Sequence, residues 1–104
     1  MYISKYSDYR TLTDKERRKI SNLLYFAIVD IRNLSLEGES EHAADLADTF
    51  HTLPTDLWSD RFSLKLFRDF LVAYEEKYPK RKGFKYLKVF DEMVKTNFEI
   101  ELII

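Results

Sequence analysis

Apolar residues recur at intervals of three and four through most of the chain, and each series stops at a residue that breaks helices. Ile20, Leu23, Leu24, Ala27, Ile31 and Leu34 form the first series, with the period of a helix side that faces a core. Just ahead of it, Thr13-Asp14-Lys15-Glu16 has the form of a capping box, in which a hydroxyl and a carboxylate satisfy each other's free backbone amides. A first helix is therefore predicted over about 13–36, stopped where Gly38 can turn left-handed. Tyr25, Phe26, Val29 and Leu36 make its other side apolar as well. A helix apolar nearly all round needs cover on every side, so this one is expected at the centre of a bundle or in an interface between copies.

Three further helices follow by the same reasoning. Ser40 is a suitable N-cap for a helix over 40–52, with Ala43, Leu46, Ala47, Phe50 and Leu53 on its core side and Pro54 closing it by disfavouring helix at Leu53. A connector from Pro54 to Ser59 holds Trp58, the only tryptophan. The third helix is predicted over 60–78 with a wide apolar face of Phe62, Leu66, Phe67, Phe70, Leu71, Ala73 and Tyr74, ended by Pro79. The fourth is predicted over 85–97, with Tyr86, Leu87, Phe90, Met93 and Val94 inside and Lys85, Lys88 and Lys95 outside. Residues 98–102 instead alternate with period two, a strand pattern, and Tyr2 to Tyr6 is a candidate partner. The tail 98–104 is accordingly expected to be extended, packed on the helices or paired with another chain. The expected fold class is all-α: one domain over 1–104, a compact bundle of four main helices with the first central, and a short terminal strand.

Composition removes whole classes of protein. With 104 residues, 45% hydrophobic, two glycines and two prolines, the chain can bury a core without staples and lies far from disordered compositions. It has no cysteine, which excludes disulfides, thiolate nucleophiles and cysteine-ligated zinc, and suits a reducing compartment. The longest apolar run, Leu23 to Val29, is seven residues against the ~20 of a membrane span, and no signal peptide opens the chain. The expected location is cytoplasmic, with no membrane partner.

Charge is sorted by segment although the formal net charge is only −1. Seven carboxylates and no base lie between Asn33 and Asp60, and six bases and no carboxylate between Lys77 and Lys88. Such blocks bear on association more than on fold. Glu41, Asp45 and Asp48 should share the outer side of the second helix, with Asp56 and Trp58 following in the connector. An acidic face with an aromatic anchor at its rim steers and holds a protein with a basic surface, and these five residues are the expected contacts. The basic stretch, interleaved with Tyr78, Phe84 and Tyr86, offers the alternative of nucleic-acid binding through Arg81, Lys82, Lys85 and Lys88. A third arrangement is internal, the two blocks facing each other within one copy or across a dimer.

Catalytic signatures are few. Gly38 and Gly83 stand in different loops, so no phosphate-cradling turn or nucleophile elbow is present. His42, Asp45, Asp48 and His51 recur every three residues, which looks like a metal or acid–base ladder. Each step of three turns a helix by about −60°, so His42 and His51 end on opposite borders of the apolar face and cannot meet one ion. What survives is a second alternative, a metal-dependent activity at Asp48 and His51 with Asp30 donated by the first helix. The leading expectation is a protein that is not an enzyme, holds no cofactor or metal, and works by binding a protein partner, with homodimerisation open.

The segment Ala43-Ala44-Asp45-Leu46-Ala47-Asp48-Thr49-Phe50-His51-Thr52-Leu53-Pro54 resembles one that recurs in small bacterial all-α proteins. The resemblance covers these residues alone and implies a bacterial helical protein, with no activity, cofactor or site attached. By size and charge the chain is also similar to immunity proteins and other inhibitors of toxic enzymes.

Overall fold

The structure, a computed structural model, describes residues 9–59, 61–80 and 84–97. In chain order the elements are β1 (Tyr9–Arg10), α1 (Asp14–Leu36), α2 (Ser40–Phe50), α3 (Leu53–Asp56), β2 (Phe62–Ser63), α4 (Leu64–Lys77) and α5 (Tyr86–Asn97). The expected all-α class with four main helices holds; α3 is a single turn. β1 and β2 pair antiparallel, Tyr9 opposite Ser63 and Arg10 opposite Phe62. The segments expected to form a terminal ribbon, Tyr2 to Tyr6 and residues 98–102, lie outside the described residues. No described helix is long and apolar enough to cross a membrane.

Both ends of α1 form as the sequence predicts. The Thr13 Oγ1 accepts from the Glu16 amide at 3.2 Å, and Glu16 Oε1 accepts from the Thr13 amide at 2.9 Å, which completes the capping box. At the other end Gly38 has φ 81°. Its amide donates to the Ser35 carbonyl and that of Glu39 to the Leu34 carbonyl at 2.8 Å, the paired bonds of a Schellman stop. The α1 helix packs along α2 and α5 through Ile20, Leu23 and Ala27, all fully buried. Its opposite side is exposed, with Tyr25, Ile28 and Leu36 more than half accessible.

The connector and the third predicted helix differ from expectation. Glu39, with no side-chain cap bond, occupies the N-cap expected of Ser40. The α2 helix ends at Phe50, two residues early, and Pro54 does not close it: Pro54 sits in the first turn of α3, where a missing amide hydrogen costs nothing. The helix predicted from residue 60 starts at Leu64. Ser63 is its N-cap, accepting from the Leu66 amide at 3.0 Å, so Phe62 is extended in β2 and still only 2% exposed. Only part of the predicted apolar face is turned inward. Leu64, Phe67, Leu71 and Tyr74 take the core side, leaving Leu66 and Phe70 at 49% and 41% exposure.

The core is joined by rings. Phe50 meets Tyr86 edge-on at 5.2 Å between centroids, and Phe67 meets Phe90 at 5.1 Å, the T-shaped geometry that aromatic quadrupoles favour. These contacts tie α2, α4 and α5 together and fix the end of α4 beside α2.

Candidate functional site

Packing sorts the side chains of α2. Ala43, Leu46 and Phe50 face the core, Glu41 and Asp48 are exposed, and Asp45 lies between. At about 100° per residue Glu41 and Asp48 fall on nearly the same line of the helix, roughly 10 Å apart, with exposed Ala44 between them. Asp45 turns toward the end of α4. Its carboxylate lies 2.7 Å from Lys77 Nζ and accepts from the Tyr78 hydroxyl. Lys77 also stands 3.8 Å from Glu41. One base of the basic stretch is thus inserted into the acidic stretch, the internal arrangement in part. The hydrogen bond from Lys77, and after it that from Tyr78, holds the Asp45 carboxyl below the ordinary carboxylate value. The same carboxylate raises Lys77 and Tyr78 above theirs.

The histidines part company, as the three-residue spacing requires. His42 lies flat on Tyr78, with ring centroids 3.7 Å apart and planes 3° apart, and its Nε2 shares a 2.7 Å hydrogen bond with the buried Tyr74 hydroxyl. His51 Nδ1 donates to the Asp48 carbonyl at 2.6 Å, within its own turn. Asp30 is engaged elsewhere, accepting from the Tyr86 hydroxyl at 2.5 Å. Asp30, Asp48 and His51 are thus not brought together, and among the described residues no three His, Asp or Glu side chains are gathered as a cation site would need.

A groove of about 770 Å³ opens beside this cluster. Leu34, His42, Tyr78 and Pro79 contribute its apolar and aromatic lining, Glu37 and Glu39 come from the α1–α2 turn, and Lys77 and Lys80 from the end of α4. Sequence reasoning missed it. The usable signal was the pair of helix stops, Gly38 and Pro79, each flanked by charges, but nothing in the order of residues places those two turns side by side.

The remaining expected contacts lie elsewhere. Asp56 is exposed at a small cleft with Arg61, Phe62 and Phe70. Trp58 is 74% exposed and borders another cleft with Arg18, Ser21 and Leu57. The Arg17 guanidinium carbon lies 4.9 Å from the Trp58 ring centroid, while Arg17 Nε donates to the Leu57 carbonyl at 2.8 Å. Glu41, Asp45 and Asp48 are therefore brought together on α2, whereas Asp56 and Trp58 each face a separate cleft. Of the basic set, Arg81 and Lys82 lie outside the described residues, and Lys85 and Lys88 are exposed. The rings between these bases are occupied: Phe84 stacks on Phe26 at 4.3 Å, Tyr86 is fully buried, and Tyr78 carries His42. Compared with protein-family models, with curated proteins and with solved structures, the chain gives no match.

Proposed function

We propose that this protein binds another protein without catalysis, as an inhibitor, immunity-type or regulatory module, through the outer side of α2. The observation that carries this reading is the alignment of Glu41 and Asp48 across Ala44 on an exposed helix face. Small Ala44 lets a partner's surface come close, and the two carboxylates set the register for two bases roughly 10 Å apart. The neighbouring groove gives an apolar partner side chain somewhere to lodge, taking the anchor role expected of Trp58. Lys77 lessens the charge at Glu41 and Asp45, and among the described residues no ion pair engages Asp48. The nucleic-acid alternative loses support because the rings that would stack on bases are engaged within the fold. A cytoplasmic setting accords with the absence of cysteine.

The test is charge reversal on a folded protein. A partner purified on the immobilised chain is titrated by calorimetry against the wild type and against the double variant Glu41→Lys, Asp48→Lys, with helix content checked by circular dichroism. Binding should weaken at least about a hundredfold, the scale of two contacts worth roughly 1.4 kcal/mol each. Unchanged affinity at unchanged helix content would remove the proposal.

A further inference from the structure

Asp14, Arg17, Arg18 and Ser21 recur at three and four residues along α1, so their side chains share one face of that helix. With Leu57 and Trp58 they line a cleft of about 290 Å³. Among the described residues Trp58 is the most accessible of the large apolar side chains left at the surface, at 74%. Its ring is nevertheless held. Arg17 Nε donates to the Leu57 carbonyl at 2.8 Å and its Nη1 pairs with Asp14 at 2.9 Å, which sets the guanidinium 4.9 Å from the Trp58 ring centroid, a cation–π distance. Arg17, with a side chain only 18% exposed, is thereby committed to the fold. Arg18 is not: it is exposed, and among the described residues nothing pairs with its guanidinium.

We propose that this cleft is a second docking surface, for a protein segment that carries a carboxylate beside an aromatic side chain. The partner's ring stacks on Trp58, and Arg18 takes the carboxylate in the two-pronged geometry a guanidinium favours. Charge complementarity selects this occupant. The lining holds two guanidiniums and one carboxylate, a surplus of one positive charge, and the free cation is the one beside the exposed ring. That surplus suits one carboxylate or two, whereas a nucleic-acid backbone is held by a longer run of bases. Tryptophan and arginine are also the side chains on which binding energy concentrates. Because Arg17 already fixes the ring, little freedom is lost when a partner settles on it. The cleft lies apart from Glu41 and Asp48 and prefers the opposite charge, so it stands or falls separately from the function proposed above.

Trp58 is the only tryptophan, so its fluorescence reports this cleft alone. The probes are the blocked peptide acetyl-Glu-Phe-Glu-Phe-Glu-amide, its counterpart with every Glu replaced by Gln, and a short oligothymidylate, each titrated into the full chain at physiological salt. The acidic peptide should shift the emission saturably, with a Kd of about a millimolar or below, and the Gln peptide should bind at least about tenfold more weakly. Arg18→Ala, at an exposed position and with helix content checked by circular dichroism, should reduce the acidic peptide to the level of the Gln peptide. The double variant Glu41→Lys, Asp48→Lys should bind it within about twofold of wild type, which separates this cleft from the α2 face. No saturable shift overturns the proposal. So does equal binding of the two peptides, an Arg18→Ala protein that binds like the wild type, or oligothymidylate binding more tightly than the acidic peptide.

Discussion

Lys77, from the most basic stretch of the chain, places its ammonium 2.7 Å from the carboxylate of Asp45, in the most acidic stretch. The two stretches are thus joined through Lys77 by the packing of α2 against α4. The Asp45 carboxyl sits below its ordinary 3.8, while Lys77 and Tyr78 sit above their ordinary 10.5 and 10.0. A depressed carboxyl stabilises the fold above 3.8, and that contribution is lost as pH falls through its folded value; raised Lys and Tyr groups contribute below about 10 and lose it as pH rises. The melting-temperature gap between wild type and Asp45→Asn should therefore be fully open from about pH 5 to 9 and close at both extremes. It should also shrink with added salt, because Lys77 is well exposed. A gap of constant size across pH would refute the assignment.

The capping box predicts a local cost with a known scale. Thr13→Ala removes the acceptor of the Glu16 amide and should lower unfolding free energy by about 1 kcal/mol, while Thr13→Ser should recover most of it. Urea unfolding followed by circular dichroism reads both variants. Equal stability of Thr13→Ala and wild type would mean that the cap contributes nothing.

Gly38 separates backbone strain from crowding. No heavy atom lies within 4 Å of where a Cβ would stand, yet φ is 81°. Gly38→Ala should cost about 1–2 kcal/mol from left-handed backbone alone, and Gly38→Asn should cost less, since Asn tolerates that region. Denaturant melts in which both variants match the wild type would deny the strain.

Two phenylalanines should behave oppositely. Phe90 is fully buried and Phe70 is 41% exposed, although both lie in apolar series that the sequence presents alike. Phe90→Ala should lose about 3–5 kcal/mol through cavity formation, and Phe70→Ala under about 1 kcal/mol. Similar losses for the two would contradict the inward side assigned to α4.

The features legible in the sequence were those whose partners are near in the chain. Thr13 and Glu16 are three residues apart, and the Gly38 stop binds carbonyls of its own helix, so both ends of α1 could be read directly. Ser63 was as local a cap as Thr13, but Phe62 continued the apolar period and masked it. Its pairing partner across the β1–β2 ladder is more than fifty residues earlier, beyond any periodicity. The three-residue spacing of the ladder on one helix sends His42 and His51 to different neighbours. That His42 would rest on Tyr78, and Asp45 bond to Lys77, could not be read because those contacts span more than thirty residues.

By itself, then, the sequence determined the class of fold, the four main helices, the caps of α1 and the uneven charge, because each depends on propensities and spacings within a few turns. Tertiary structure alone decided which apolar side of α1 is covered, where α4 turns its rings, and that the acidic and basic stretches meet at Lys77. Those are matters of how helices lie against one another, and each face buried in the core leaves another to the solvent.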